Sequence, residues 1–250
     1  MISSFTIVKR EPTSVPASKP QLRQITYDAG MPVWKRALDV GFILVALPLI
    51  LPLALFIAIL VRVVSAGPVL FRQERVGHLG RRFMCLKFRT MALGAETATH
   101  QEHLRQLIHS DAPMVKLDAQ GDARIIPFGV WLRSSGLDEL PQLINVLRGE
   151  MSLVGPRPCM AYEYGDFLPW QRERFNTLPG LTGLWQVSGK NRTTFAEMIE
   201  MDINYASNKT LRGDLAIISM TLPVMLGQVW SAWKRKALRL TARSPRTVRA

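Results

Sequence analysis

Asp138 and Glu139 are adjacent carboxylates in a chain where 32 Lys and Arg outnumber 19 Asp and Glu. They stand in Leu137-Asp138-Glu139-Leu140-Pro141-Gln142. Apolar residues follow at Leu140, Leu143, Ile144 and Leu147, the i, i+3, i+4, i+7 pattern of a helix that buries one face. Pro141 suits a first helical turn, where its missing N–H breaks no bond. The spacing predicts a helix over 138–148, closed by Gly149, with the acidic pair at its N-terminus. The backbone dipole there favours an anion, whether a side chain or a phosphate. Two roles fit. The pair either caps the helix or is a reactive site for a phosphorylated substrate.

Several cations could serve that second role. Lys87, Arg89 and Thr90 end a predicted strand, and Arg133 lies about one turn before the dyad. Together they could neutralise a diphosphate; singly, each reads equally as a surface group. Arg157 sits in Gly155-Pro156-Arg157-Pro158, where two prolines fix the backbone around a guanidinium fork suited to phosphate. The glycine-bracketed stretch Gly183 to Asn191 has the makeup of a binding loop, with Gln186 and Asn191 as its polar candidates. Trp185 within it could stack on a base or pack inside. His100, His103 and His109 share one predicted helix without zinc-ligand spacing. No P-loop, dinucleotide fingerprint or Gly-x-Ser-x-Gly elbow is present.

The positioning elements read as follows. Residues 1–30 are polar and proline-dotted, the pattern of a disordered arm without a cleavable leader. Residues 31–65 hold a run without charge from Val40 to Val61, about 22 residues and long enough to cross hydrocarbon. Both flanks are basic, with Lys35 and Arg36 before and Arg62, Arg72 and Arg75 after. A simple span predicts asymmetry instead. Pro48 and Pro52 lie mid-run and each removes a helical hydrogen bond. A helix that breaks at the prolines and leaves by the face it entered explains both facts; a kinked single span is the alternative.

Residues 66–230 form the catalytic domain on this reading. Strands are predicted over Pro68–Gln73 and Arg82–Arg89, and helices near 95–109, 170–177 and 194–208. Pro179–Gly183 reads as a turn-rich loop, and the apolar stretch Leu215–Trp230 as a core or interfacial helix. Residues 231–250 form a basic tail, with seven Lys and Arg and no acid from Lys234 onward. The fold class is α+β and membrane-associated: a re-entrant membrane helix, a small β-hairpin and several helices, some amphipathic and interfacial. A net charge of +13 calls for anionic partners. Two cysteines without a CxxC fit a reducing compartment.

Six motifs occur in order: Lys35-Arg36-x-x-Asp39, Phe71-Arg72-Gln73-x-Arg75-x-Gly77, Lys87-Phe88-Arg89-Thr90-Met91, Leu137 to Gln142, Ser152 to Pro158, and Pro179-Gly180-Leu181-Thr182-Gly183. From about Lys35 to Gly227 the chain resembles the bacterial sugar transferases, the monotopic polyprenyl-phosphate sugar-1-phosphate transferases. Within them it is similar to the short exopolysaccharide-initiating type. The resemblance implies that a UDP-sugar and undecaprenyl phosphate give UMP and undecaprenyl-diphosphate-sugar. It implies Asp138 as the nucleophile forming an acyl phosphate that carries the sugar, Glu139 as its partner, and Mg²⁺ bridging the diphosphate and Asp138. Arg133 and Arg157 match phosphate-holding positions. It also implies the bacterial inner membrane, with the catalytic domain facing the cytoplasm.

Two departures stand out. Leu51 replaces the serine usual before Pro52, and Gly136 replaces the serine before Leu137. Galactose or glucose is favoured as the sugar over an N-acetylated one, and self-association is left open. The competing class is a basic, membrane-tethered binding or scaffold protein without catalysis. Nucleic-acid binding predicts aromatics among the basic clusters, and the tail has none after Trp233.

Overall fold

The computed structural model describes residues 31–92, 124–189 and 193–242. The arm over 1–30, the helix expected near 95–109, Asn191 and the last eight residues of the tail lie outside them.

Helix α1 runs from Val33 to Val64 as one helical element with Pro48 and Pro52 inside it. At about 1.5 Å per residue its 32 residues would extend roughly 48 Å if straight. Its buried positions fall in two groups. Lys35, Asp39 and Ile43 face the folded body near one end; Ile57 and Val61 face it near the other. Between them Leu44, Val45, Leu47, Leu49 and Leu51 are exposed, as are both prolines.

The motif Lys35-Arg36-x-x-Asp39 ties α1 to the centre of the fold. Arg36 donates to Val146 O at 2.5 Å and Leu147 O at 2.6 Å, carbonyls at the C-terminal end of a later helix. Asp39 accepts from the Leu153 N–H at 2.9 Å and the Ser152 hydroxyl at 3.0 Å. Lys35, read from the sequence as a flanking membrane charge, has no exposed surface at all. Its ammonium donates to Asp214, Tyr205 and Val154 O.

Strands β1 (Leu70–Val76) and β2 (Arg82–Phe88) form an antiparallel hairpin, with Gln73 opposite Cys85 and Phe71 opposite Lys87. Helix α2 (Gly129–Ser135) follows, then a 3₁₀ turn over Leu137–Glu139 and helix α3 (Gln142–Leu147). The dyad helix therefore starts four residues later than the pattern predicts. Its face differs too. Leu143 and Val146 are buried with Gln142 and Asn145, whereas Ile144 and Leu147 are 41% and 43% exposed. The polar pair can go inside because Asn145 finds partners there. It accepts from Leu86 N–H at 3.0 Å and donates to Met84 O at 2.8 Å, continuing the edge of β2.

The loop expected at Pro179–Gly183 contains strand β4 (Gly180–Thr182), parallel to β3 (Ser152–Val154). Three glycines permit this. A Cβ on Gly155 or Gly180 would collide with the other segment's backbone, and one on Gly183 would collide with Gly155 O. Between β3 and β4 run helix α4 (Ala161–Asp166) and a 3₁₀ segment, Trp170–Asn176, where a helix was expected. Helix α5 (Leu184–Val187) carries Trp185, which packs inside and donates to Thr193 Oγ1 at 2.6 Å.

Helix α6 spans Phe195–Asn208 behind a capping box of Thr194 and Glu197, the reciprocal pairing that satisfies two orphan N–H groups. Helix α7 spans Leu211–Ala242, passing through the point where the tail was expected to begin. Leu215, Met220, Leu222, Leu226 and Trp230 on it are exposed.

Candidate active site

Gly136 sets the position of the dyad. Its φ of +70° ends α2 and turns the chain into the 3₁₀ segment, a left-handed conformation that glycine adopts without strain and serine does not. The residue that departs from the family pattern is thus the one this backbone favours. Asp138 is buried, at 8% exposure, and Glu139 is half-buried. Helix α3 has only six residues, so the charge around the pair comes chiefly from side chains rather than a long helix's dipole.

Strand β2 supplies one of those side chains, Lys87, and α2 supplies Arg133. Lys87 donates to Glu139 Oε1 at 2.6 Å. Thr90 Oγ1, two residues past β2, accepts from Arg133 Nη1 at 3.4 Å. Asn145 fixes β2 against α3 and so fixes Lys87 against the dyad. Burial raises the Cys85 thiol; Lys87, Arg75 and Arg157 oppose that, while Glu139 adds to it. Arg157 itself is half-buried, and its guanidinium has no hydrogen-bond partner among the described residues.

Arg89 goes elsewhere. It is 4% exposed and donates to Ser65 O and Ala66 O at 2.7 Å each, closing the C-terminal end of α1. Gln186 donates to Leu181 O at 3.3 Å, and its Oε1 is buried without a partner. Pro48 and Pro52 lie on the exposed middle of α1, away from the dyad's hydrogen bonds.

Among the described residues no group of three or more His, Cys, Asp or Glu is placed to cage a metal. Mg²⁺ usually needs only one or two carboxylates, with phosphate oxygens and water completing its shell. Asp138 offers hard oxygen donors of that kind, and Glu139 is already paired with Lys87. The donor set fits a Mg²⁺ held jointly with a substrate diphosphate.

Sequence reading missed Asn145, Arg174, Asp202, Tyr205 and Asp214. A signal existed for two of them. The buried stripe of α6 is Phe195, Met198, Ile199, Asp202, Tyr205 and Ala206, and an acid on an apolar face requires a buried partner. Arg174 is that partner, at 2.5 Å.

Residues 31–228 match the family model described as bacterial sugar transferase. The chain is similar to the exopolysaccharide production protein ExoY of Rhizobium meliloti, 41% identical over 76% of this chain and 84% of that protein. It is similar to the UDP-glucose:undecaprenyl-phosphate glucose-1-phosphate transferase of Caulobacter vibrioides, 40% identical over 77% of this chain and 69% of that one. It is also similar to the galactosyl transferase CpsE of Streptococcus agalactiae, 38% identical over 77% of this chain but only 42% of that longer protein.

Proposed function

The chain belongs to the bacterial sugar transferase family, and we propose that it moves a hexose-1-phosphate from a UDP-sugar to undecaprenyl phosphate, releasing UMP. The reading rests above all on the buried Asp138 beside the Lys87–Glu139 pair, on a body to which α1 is packed at both ends. A soluble anionic donor and a lipid anion can both reach such a site.

The Asp138 carboxylate attacks the sugar-bearing phosphorus, and the bond from that phosphorus to the UMP oxygen breaks. UMP leaves with the electron pair, and the sugar phosphate stays on Asp138 as an acyl phosphate. An oxygen of the lipid phosphate then attacks the same phosphorus, the carboxylate departs, and the lipid diphosphate sugar is complete. Two displacements replace one difficult transfer. Arg157 and Arg133 hold the donor phosphates, and Lys87 holds Glu139 in place beside the nucleophile. Mg²⁺, held by Asp138 and the donor's phosphate oxygens, would offset the charge that builds as UMP leaves. Arg89, spent on α1, is no longer assigned to phosphate.

The sugar is galactose or glucose, the two named among the relatives. The membrane helix is read as re-entrant, and what supports this reading is that Lys35 and Asp39 near one end and Ile57 and Val61 near the other are all buried against the folded body. Exposed Phe128, Val130 and Trp131 on and before α2, with Ile144 and Leu147 on α3, lie at the interface. Exposed Arg62, Arg72 and Arg148 meet anionic lipid. The body faces the cytoplasm, on the inner membrane, where nucleotide sugars are available.

The test is UMP release by membrane-extracted protein given undecaprenyl phosphate, Mg²⁺ and a panel of UDP-sugars. Release with UDP-galactose or UDP-glucose that depends on the lipid phosphate is expected. No release from any UDP-sugar would leave a binding or scaffold protein in its place.

A further inference from the structure

Three backbone carbonyls in and beside the turn that carries Arg157 accept from buried cations, in addition to the neutral bonds from Tyr205 Oη to Val154 O, Gly180 N to Pro156 O and Val76 N to Cys159 O. Lys35 donates to Val154 O at 2.8 Å, Arg174 to Arg157 O at 2.9 Å, and Arg75 to Pro158 O at 3.0 Å. Their exposures are 0%, 2% and 5%. Burying a cation is costly unless it is paired and fully hydrogen-bonded. Val154 O also accepts from the Tyr205 hydroxyl, but among the described residues Arg157 O and Pro158 O have only these guanidinium donors. Arg174 is the most constrained of the three. The same Nη2 reaches Asp202 at 2.5 Å and Arg157 O at 2.9 Å. The rings of Phe167 and Phe175 lie 5.6 and 5.5 Å from its guanidinium carbon. Paired on one side and flanked by two rings, this fork has little room to shift, and neither does the carbonyl it holds.

We propose that Arg174, oriented by Asp202, is a positioning residue for the transfer reaction: it fixes the backbone of Arg157 and thereby aims the Arg157 guanidinium at the donor diphosphate. The proposal rests on the reading of Arg157 as a phosphate ligand. A lysine at position 174 could still neutralise Asp202, but its single ammonium lacks the planar fork that the two rings hold. The two arginines therefore act as one unit, and their losses should not add.

The experiment is a double-substitution cycle on the full chain in lipid nanodiscs, with Arg174→Lys and Arg157→Lys made singly and together. UMP release and UDP affinity are both measured. In the wild-type background Arg174→Lys should lower kcat/KM about tenfold, mostly through KM, as a small misplacement of a binding group does. In the Arg157→Lys background the same change should cost less than about twofold. Equal losses in both backgrounds overturn the proposal. A second variant guards against misfolding. Arg174→Gln with Asp202→Asn removes both buried charges, and is expected to restore the thermal midpoint while leaving KM raised. A KM that recovers with the midpoint would reduce Arg174 to a structural residue. If the wild type releases no UMP, the function reading fails on its own. The cycle is then read on UDP affinity, where additive losses still overturn this proposal and coupled losses sustain the Arg174–Arg157 link.

Discussion

Replacing Lys35 by methionine should unfold this protein far more readily than any loss of surface charge. Lys35 and Asp214 have fully buried side chains 2.6 Å apart. All three ammonium protons are used, on Asp214, on Tyr205 Oη at 2.8 Å and on Val154 O at 2.8 Å. Methionine keeps most of the volume but leaves Asp214 buried, with the Tyr205 hydroxyl at 2.8 Å as its remaining polar partner. Breaking a buried pair from one side costs about 3–5 kcal/mol, because the surviving charge is uncompensated. For a chain of this size each kcal/mol lowers the midpoint by roughly 2–4 °C, so Lys35→Met should lose on the order of 10 °C. Removing both charges, as Lys35→Met with Asp214→Leu, should recover most of that loss. The Tyr205 hydroxyl can then turn to Val154 O, 3.0 Å away. The assay is tryptophan fluorescence during heating in nanodiscs, for which the chain has six tryptophans. A single variant that melts with the wild type, or a double variant as unstable as the single, would refute the account of this network.

The remaining predictions concern backbone approach, pH and topology. Gly155→Ala places a methyl 2.9 Å from Gly180 N and onto Leu178 O, so it should cost several-fold more stability than Gly165→Ala, where the added atom meets open space; equal midpoints would contradict the β3–β4 packing. Burial raises the Glu163 carboxyl above its ordinary 4.5 despite Arg75 and Arg157. The folded state thus keeps a proton that the unfolded chain releases, and stability is full below pH 4.5 and falls as pH climbs toward the raised value. Glu163→Gln should flatten that part of the midpoint-against-pH curve, and an unchanged slope would count against it. Cys85 and Cys159 are buried, with Cys159 pushed up to about 12, so neither should react with a thiol reagent in the native protein. Against that silent background, cysteines introduced at Met31 and Ala66 should both be shielded from a reagent confined to the periplasm. Labelling at one end only would restore a simple span.

The hairpin, helix α6 and the existence of the dyad segment were legible because each rests on local chemistry. Strand-forming residues around a glycine turn, helical periodicity and a proline-bearing apolar stripe all act within a few residues. What was not legible depended on partners far along the chain. Ile144 and Leu147 complete a helical stripe, yet the structure buries Asn145 instead, since the edge of β2 supplies both a donor and an acceptor. Lys35 reads as a membrane-flanking charge until Asp214, 179 positions away, is seen against it. Arg89 belongs to a basic cluster in the sequence, but the bare carbonyls of Ser65 and Ala66 claim it. Strand β4 was hidden because a segment with three glycine and proline residues in five reads as a loop. Those glycines are there for the opposite reason, to let two backbones meet.

The proposed transfer requires that Asp138 become covalently phosphorylated by the donor. The most direct measurement is mass spectrometry of the protein after incubation with its UDP-sugar and Mg²⁺ in the absence of undecaprenyl phosphate. Expected are a hexose phosphate on the peptide containing Asp138, one UMP released for each modified chain, and loss of the adduct when the lipid phosphate is added. Asp138→Asn should carry no adduct. An unmodified wild-type peptide under conditions where the lipid-dependent reaction proceeds, or an adduct that persists in Asp138→Asn, would contradict it.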